Sequence, residues 1–194
     1  MKTLLPFALC ALVTACAGRT DTTTVREPGP IPMQDQTNAP ETIEVTSRDF
    51  TDGGPLDARF SFDQFGCVGD NEAPWLAWSG APAQTQSYAV IVHDPDAPTG
   101  VGFFHWVAVD IPASMSAFEG VLPDEARALH TDYGTSGYGG PCPPPGPEHR
   151  YVFSVYALDV PRLELPDGAT GALTRFVLRE HTLAVGRLVG TFQR

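Results

Sequence analysis

Three short stretches end in side chains that can hold a small polar ligand. In "HDPDAPTG" (93–100), Asp94 closes an apolar run and Asp96 follows two residues later, with Pro95 and Pro98 fixing φ around them. In "FFHWVAV" (103–109), His105 stands among apolar neighbours. In "HRYVFSVYA" (149–157), His149 and Tyr151 are two apart and share a strand face, which Phe153 and Val155 continue inward. Two carboxylates, two imidazoles and a phenol make a set of donors and acceptors suited to a protonatable anion.

The same residues give little support for catalysis. The chain has no GxSxG elbow and no phosphate-cradling Walker loop. A Ser136–His149–Asp94 triad and a His105–His149–Asp94 metal set exist only as guesses at geometry, because no HxxxH or CxxC spacing accompanies them. No cofactor and no metal are expected. His93, His130 and His181 read as structural or exposed residues. Trp75, Trp78 and Trp106 read as core or pocket wall.

These side chains need strands to carry them. "TIEVTSRDF" (42–50), "ARFSF" (58–62), "SYAVIVHD" (87–94), "FFHWVAVDIP" (103–112) and "HRYVFSVYALDV" (149–160) have the β-branched and aromatic content of strands. Alternation places Phe103, His105, Val107 and Val109 on one face. The connections "FGCVGDNEAP", "DPDAPTGVG" and "TSGYGGPCPPPGPE" are rich in Gly and Pro. The last is stiff, and its glycines have N–H groups that can face an anion. The pattern predicts a mainly β fold, an antiparallel β-sandwich with one or two short helices. One helix is expected over 172–184, near the C-terminus, from the spacing of Leu173, Phe176, Val177 and Leu183. A second is expected near 123–130, and "RLVGTFQR" as a closing strand.

The ends and the charge bound the setting. Of the 194 residues, 1–15 read as a signal peptide, with one Lys, an apolar run and then small residues. "VTAC" (13–16) has the form of a bacterial lipobox, which makes Cys16 the lipidated mature N-terminus. A plain signal peptide cut near Ala15 or Ala17 would instead release a soluble periplasmic protein. Ala17 after the Cys favours outer-membrane sorting on the periplasmic side. Residues 16–41 read as a lipid-anchored flexible tether, and 42–194 as the folded domain. The formal charge of −11 becomes −12 once Lys2 leaves with the signal. That excludes nucleic acid as a partner and leaves the N-terminal lipid as the only membrane contact. With Cys16 lipidated, Cys67 and Cys142 remain, and an oxidising compartment favours their disulfide over two buried thiols.

"DPDAPTG", then "FFHWVAVDIP", then "TDYGTSGYGGPCPPPGPEHRYVFSVYAL" resemble the phosphatidylethanolamine-binding protein family, in its bacterial Raf-kinase-inhibitor-like branch. The resemblance runs in order over about 42–194. It implies Greek-key connections in the sandwich and a small pocket for phosphate or other anionic head groups. By resemblance the pocket uses Asp94, Asp96, His105, His149 and Tyr151, with Pro143–Pro145, centred on Pro144, as a wall. Asp96 has a second possible task, bracing its own turn as an Asx-type acceptor. Phe103 stands where the family's animal members have a wall Trp, and their C-terminal tail has no counterpart after Leu183. The function implied is binding of phospholipid head groups or related small anions. The alternatives are an inhibitor of a protein target, such as a periplasmic hydrolase, and an uncharacterised hydrolase.

Overall fold

Period-two and continuous apolar runs set the framework. In the computed structural model, which describes residues 41–194, the runs at 87–94, 103–112 and 149–158 are long strands. The signal peptide, Cys16 and the tether as far as residue 40 lie outside the described residues. In chain order the strands are β1 (Glu44–Thr46), β2 (Gly54–Pro55), β3 (Leu76–Ser79), β4 (Ser87–Asp94), β5 (Phe103–Pro112), β6 (Ala117–Phe118), β7 (Arg127–Ala128), β8 (His149–Leu158) and β9 (Thr182–Phe192). The single α-helix among the described residues, α1 (Gly171–His181), connects β8 to β9.

The strands form two open sheets, one ordered β1-β3-β6 and the other β2-β9-β8-β4-β5-β7. Pairing is antiparallel except at one edge, where short β2 runs parallel to β9. The chain leaves β5 on one side of β4 and returns as β8 on the other, a crossover of the Greek-key kind. The sheets face each other across one core, in which Val45, Leu76, Trp78 and Phe118 meet Val90, Val92, Trp106, Phe153 and Val155. The large sheet has a second apolar face. There Ala89, Ile91, Val107 and Val109 pack with Leu163 and Ala169 of the preceding loop and with Leu178 of α1. Burial on both faces is why β4 and β5 read as unbroken apolar runs.

Local expectations fail where tertiary contacts outbid the pattern. Residues 58–62 are not a strand: Ala58–Phe60 is a 3-10 turn, capped by Asp57, whose carboxylate accepts the Arg59 N–H. The run 42–50 is a strand only over Glu44–Thr46. The helix expected near 123–130 is a single turn followed by β7, because Arg127 is drawn to Asp110 and Leu129 enters the second core. Helix α1 stops at His181, before Leu183, and its buried side is Thr174 and Leu178, while Leu173 and Phe176 face solvent. The closing strand starts earlier than expected, at Thr182. Gly190 within it is needed, since a Cβ there would lie 2.6 Å from the Leu56 side chain.

Candidate functional site

The site begins with an irregularity in a ladder. Val92 pairs with Trp106, but His93 pairs with Phe104, so His105 is an extra residue, a β-bulge. The bulge overturns the expected face. His105 does not lie with Val107 and Val109. It turns toward Tyr151, with the ring centroids 5.0 Å apart. Its carbonyl accepts the N–H of Gly139 at 2.8 Å. Its Nδ1 donates to Gly139 O at 2.8 Å and lies 3.2 Å from Gly140 O. Carbonyl partners require the proton on Nδ1, which leaves a lone pair on Nε2. Burial pushes the His105 pKa down from 6.5 to about 4, so the ring is neutral at physiological pH.

The end of β4 brings the second imidazole into place. Asp94 is buried, and its Oδ1 accepts the N–H groups of Asp96 (2.8 Å) and Ala97 (3.0 Å). Its Oδ2 accepts from Nδ1 of His149 at 2.7 Å. The Asx brace expected of Asp96 is therefore made by Asp94. Asp96 turns outward, and its carboxylate takes Nε and Nη2 of Arg150 at 2.9 and 2.8 Å and the Arg150 N–H at 2.9 Å. The Arg150 guanidinium holds the Asp96 pKa at about 2. Asp96 is not among the residues that line the cavity. Consecutive residues of β8 thus point opposite ways, His149 and Tyr151 inward and Arg150 outward, as the strand period requires.

Between these side chains is a cavity of about 390 Å³. Asp94, Asp132, His105 and His149 supply its polar lining, and Phe65, Phe103, Tyr133 and Tyr151 its aromatic walls. Pro98, Pro143 and Pro144 complete the rim. No arginine or lysine lines it. Tyr133 was not identified from sequence. It donates its hydroxyl to Gly140 O at 2.9 Å and packs edge-on against Phe103 and His105. The clue was the "TDYG" turn just ahead of the Pro-Gly loop, but nothing in its spacing shows that it folds over the cavity. Ser136, the serine of the imagined triad, does not line the cavity.

The Pro-Gly loop works differently from the expectation that its glycine N–H groups face an anion. Gly139 N–H goes to His105 O, and Gly140 N–H goes to Asn71 Oδ1 at 2.8 Å. A Cβ on Gly140 would sit 2.0 Å from Phe60 O, so only glycine lets the loop lie this close. The carbonyls of the pair then fix His105 and Tyr133. Cys142 of this loop is joined to Cys67 in a disulfide, with Cα atoms 5.9 Å apart. The disulfide ties the proline wall to the loop that carries Phe65. His93 and His130 lie outside the lining, and His181 pairs with Asp159 at 3.0 Å.

Three unspent groups converge on the cavity. The Tyr151 hydroxyl is buried and meets no hydrogen-bond partner among the described residues, while burial and the nearby Asp94 carboxylate raise its pKa. Neither Nε2, of His105 or of His149, is bonded within the described residues, because each ring spends its Nδ1 on the protein. The set combines a hydroxyl donor, a fixed acceptor and an imidazole that donates from Nε2 when protonated. Such a set matches a group carrying both O⁻ and O–H.

Comparison with known proteins places this geometry. The family model described as phosphatidylethanolamine-binding protein matches residues 46–193. YbhB of Escherichia coli is 41% identical over 157 residues, covering 77% of this chain and 99% of that protein. LppC of Mycobacterium tuberculosis, named as a lipoprotein, is 40% identical over 157 residues, covering 80% of this chain and 74% of its own. The crystal structure of E. coli YbcL, described as a new member of the mammalian PEBP family, superposes with a TM-score of 0.75 at 37% identity, covering 78% of this chain and 98% of that one.

Proposed function

The chain belongs to the phosphatidylethanolamine-binding protein family, and on that premise we propose that it is a binding module for a small phosphate-bearing head group or related anion. One observation carries the reading: Tyr151, His105 and His149 line one cavity, the Tyr151 hydroxyl is unpartnered, and both histidine Nε2 atoms are unspent. A phosphate monoanion uses all three. One oxygen accepts from Tyr151, another accepts from protonated His149, and its O–H donates to His105 Nε2. Asp94 offsets the charge on His149 and fixes its ring. Its Oδ1 accepts two backbone N–H groups and its Oδ2 the His149 Nδ1, so its part in binding is to orient that ring. Phe103, Tyr133 and Phe65 cover the remainder and exclude water, which strengthens these charge-assisted bonds.

The resting place we propose is the periplasmic side of the outer membrane, reached through lipid on Cys16. The relative named as a lipoprotein supports this reading. No helix among the described residues is long and apolar enough to cross a membrane.

Calorimetric titration with phosphoethanolamine tests the pocket. Tyr151→Phe deletes one oxygen and should weaken binding by about tenfold, the loss of one hydrogen bond to a charged group. His149→Gln should abolish the heat. Between pH 8 and 5.5 affinity should rise in the wild type, as the phosphate takes up the proton that its O–H donates to His105, a ring that does not titrate in that range. Unchanged affinity in both variants would overturn the proposal.

A further inference from the structure

The opposite face of the large sheet holds a second cavity of about 470 Å³, with the reverse charge. Its walls are α1 and the neighbouring strands β8 and β9. Arg175 and Arg179, one helical turn apart on α1, line it together with Arg187 on β9. Tyr156, Leu178 and Val185 form its apolar side, and no carboxylate lines it.

Outside this cluster most described arginines are paired with carboxylates, and Arg194 is turned to the Phe65 carbonyl and the Cys67–Cys142 sulfurs. The chain carries 23 acidic residues against 12 basic ones. Arg48, Arg59, Arg127, Arg150 and Arg162 each have a carboxylate oxygen within 4 Å. Arg175 and Arg187 have no ion pair among the described residues, although acids outnumber bases almost two to one. Arg175 instead lies over the Phe104 ring, 5.8 Å from its centroid, which holds the guanidinium over an apolar surface. Two guanidiniums without carboxylates, gathered in one concavity, raise the local potential for an anion in a molecule of opposite overall sign. The planar fork of arginine fits the paired oxygens of phosphate.

We propose that this arginine cleft is a second binding site, for a phosphate-bearing anion, separate from the histidine pocket. Arg175 and Arg187 grip the oxyanion from the helix and strand sides, and Tyr156 and Val185 seat whatever apolar portion it carries. The same chemistry comes from two sources, a soluble phosphate compound or the head group of an anionic lipid.

The test uses the full chain carrying His149→Gln, so that the histidine pocket does not contribute. Inorganic pyrophosphate and dihexanoyl phosphatidylglycerol below its micellar concentration are titrated separately by calorimetry. Binding of either, weakened about tenfold or more by Arg187→Gln and by Arg175→Gln, supports the cleft and names the source. Circular dichroism and thermal unfolding check that the exposed Arg187 and the half-buried Arg175 substitutions leave the fold intact. If neither probe binds at millimolar concentration, or if both arginine variants bind like their parent, the proposal is overturned. Loss of phosphoethanolamine binding in the pocket variants alone says nothing against the cleft, so the two sites fail separately.

Discussion

Asp94 and Asp110 stand at opposite ends of the β4–β5 hairpin, 2% and 4% exposed, and each closes a register irregularity in it. They have the same chemistry and the same burial. Asp110, at φ 60°, gives Oδ2 to Arg127 Nε at 2.6 Å and Oδ1 to the Leu163 N–H at 2.8 Å. Arg127 spends its other donors on the carbonyls of Leu163 and Leu165. Every polar group there is consumed, and the result is a clamp that holds the 160s loop on the sheet. Asp94 is also held by backbone N–H groups and one side-chain partner, but that partner is an imidazole that lines a cavity and keeps its far nitrogen unspent. A buried carboxylate marks a ligand site only when the group it orients keeps something unspent.

The comparison is broken most directly at the clamp. Asp110→Asn leaves a mostly buried guanidinium with only the exposed Asp167 carboxylate at 3.6 Å as counter-charge and should destabilise by about 3 kcal/mol, seen as a lower urea midpoint at unchanged slope. Asp94→Asn keeps an oxygen for the N–H groups of Asp96 and Ala97 and should cost about 1 kcal/mol, yet abolish phosphoethanolamine binding. Equal stability losses, or retained binding in Asp94→Asn, would erase the distinction between the two aspartates.

The two bulges also show what the sequence could and could not reveal. The identities at the pocket were legible because Asp94, His149 and Tyr151 sit at the ends of strands whose patterns are unambiguous. The face of His105 was not legible. Alternation assigns it by counting from Val107, and one inserted residue reverses the count. The Asp110–Arg127 pair was invisible for a related reason, since 17 residues and an edge strand separate partners that only the fold brings together. The three-stranded sheet was half seen. Its β3 lies in "LAWS", too short to show a period, and becomes a strand because Leu76 and Trp78 can be buried against the large sheet. Asp94 and Asp96 of "DPDAP" both read as pocket residues, with Asp96 as the alternative brace of the turn. The direction of the chain through the turn decided that one faces inward and the other outward.

A second, smaller effect sharpens the contrast between a titratable partner and a permanent one. Burial lowers the His105 pKa from 6.5 to about 4. Between those values the unfolded chain holds a proton on this residue and the folded chain does not. Stability is therefore complete above pH 6.5 and falls as pH drops toward 4, by about 3 kcal/mol at most on the linkage relation. His93, whose pKa burial also lowers, adds to the same window. His105→Gln should flatten most of the decline between pH 6.5 and 4 in thermal unfolding, leaving the portion due to His93. A decline of undiminished size would show that the burial of His105 is not its cause. The Asp110–Arg127 clamp holds a permanent charge on its arginine, so its variant should leave this slope unchanged.

The smallest effect belongs to the outward aspartate. Asp96 and Arg150 form a bidentate pair on the surface, with side chains 30% and 60% exposed. Arg150 holds the Asp96 pKa at about 2 against an ordinary 3.8. Its contribution is therefore present above pH 3.8 and is lost as pH falls toward 2, below the histidine window. Solvent screens such a pair strongly, so the low pKa overstates what it contributes to stability. Asp96→Asn should lower the melting temperature by about a degree or less, an effect that disappears in molar salt. It should leave the heat of phosphoethanolamine binding as it was. A binding loss comparable to that of Asp94→Asn would mean that the turn, and not the inward carboxylate alone, positions His149, because Arg150 is its neighbour on β8. The two aspartates of one five-residue motif would then act as one unit, and the contrast that matters would be between this turn and the Asp110 clamp.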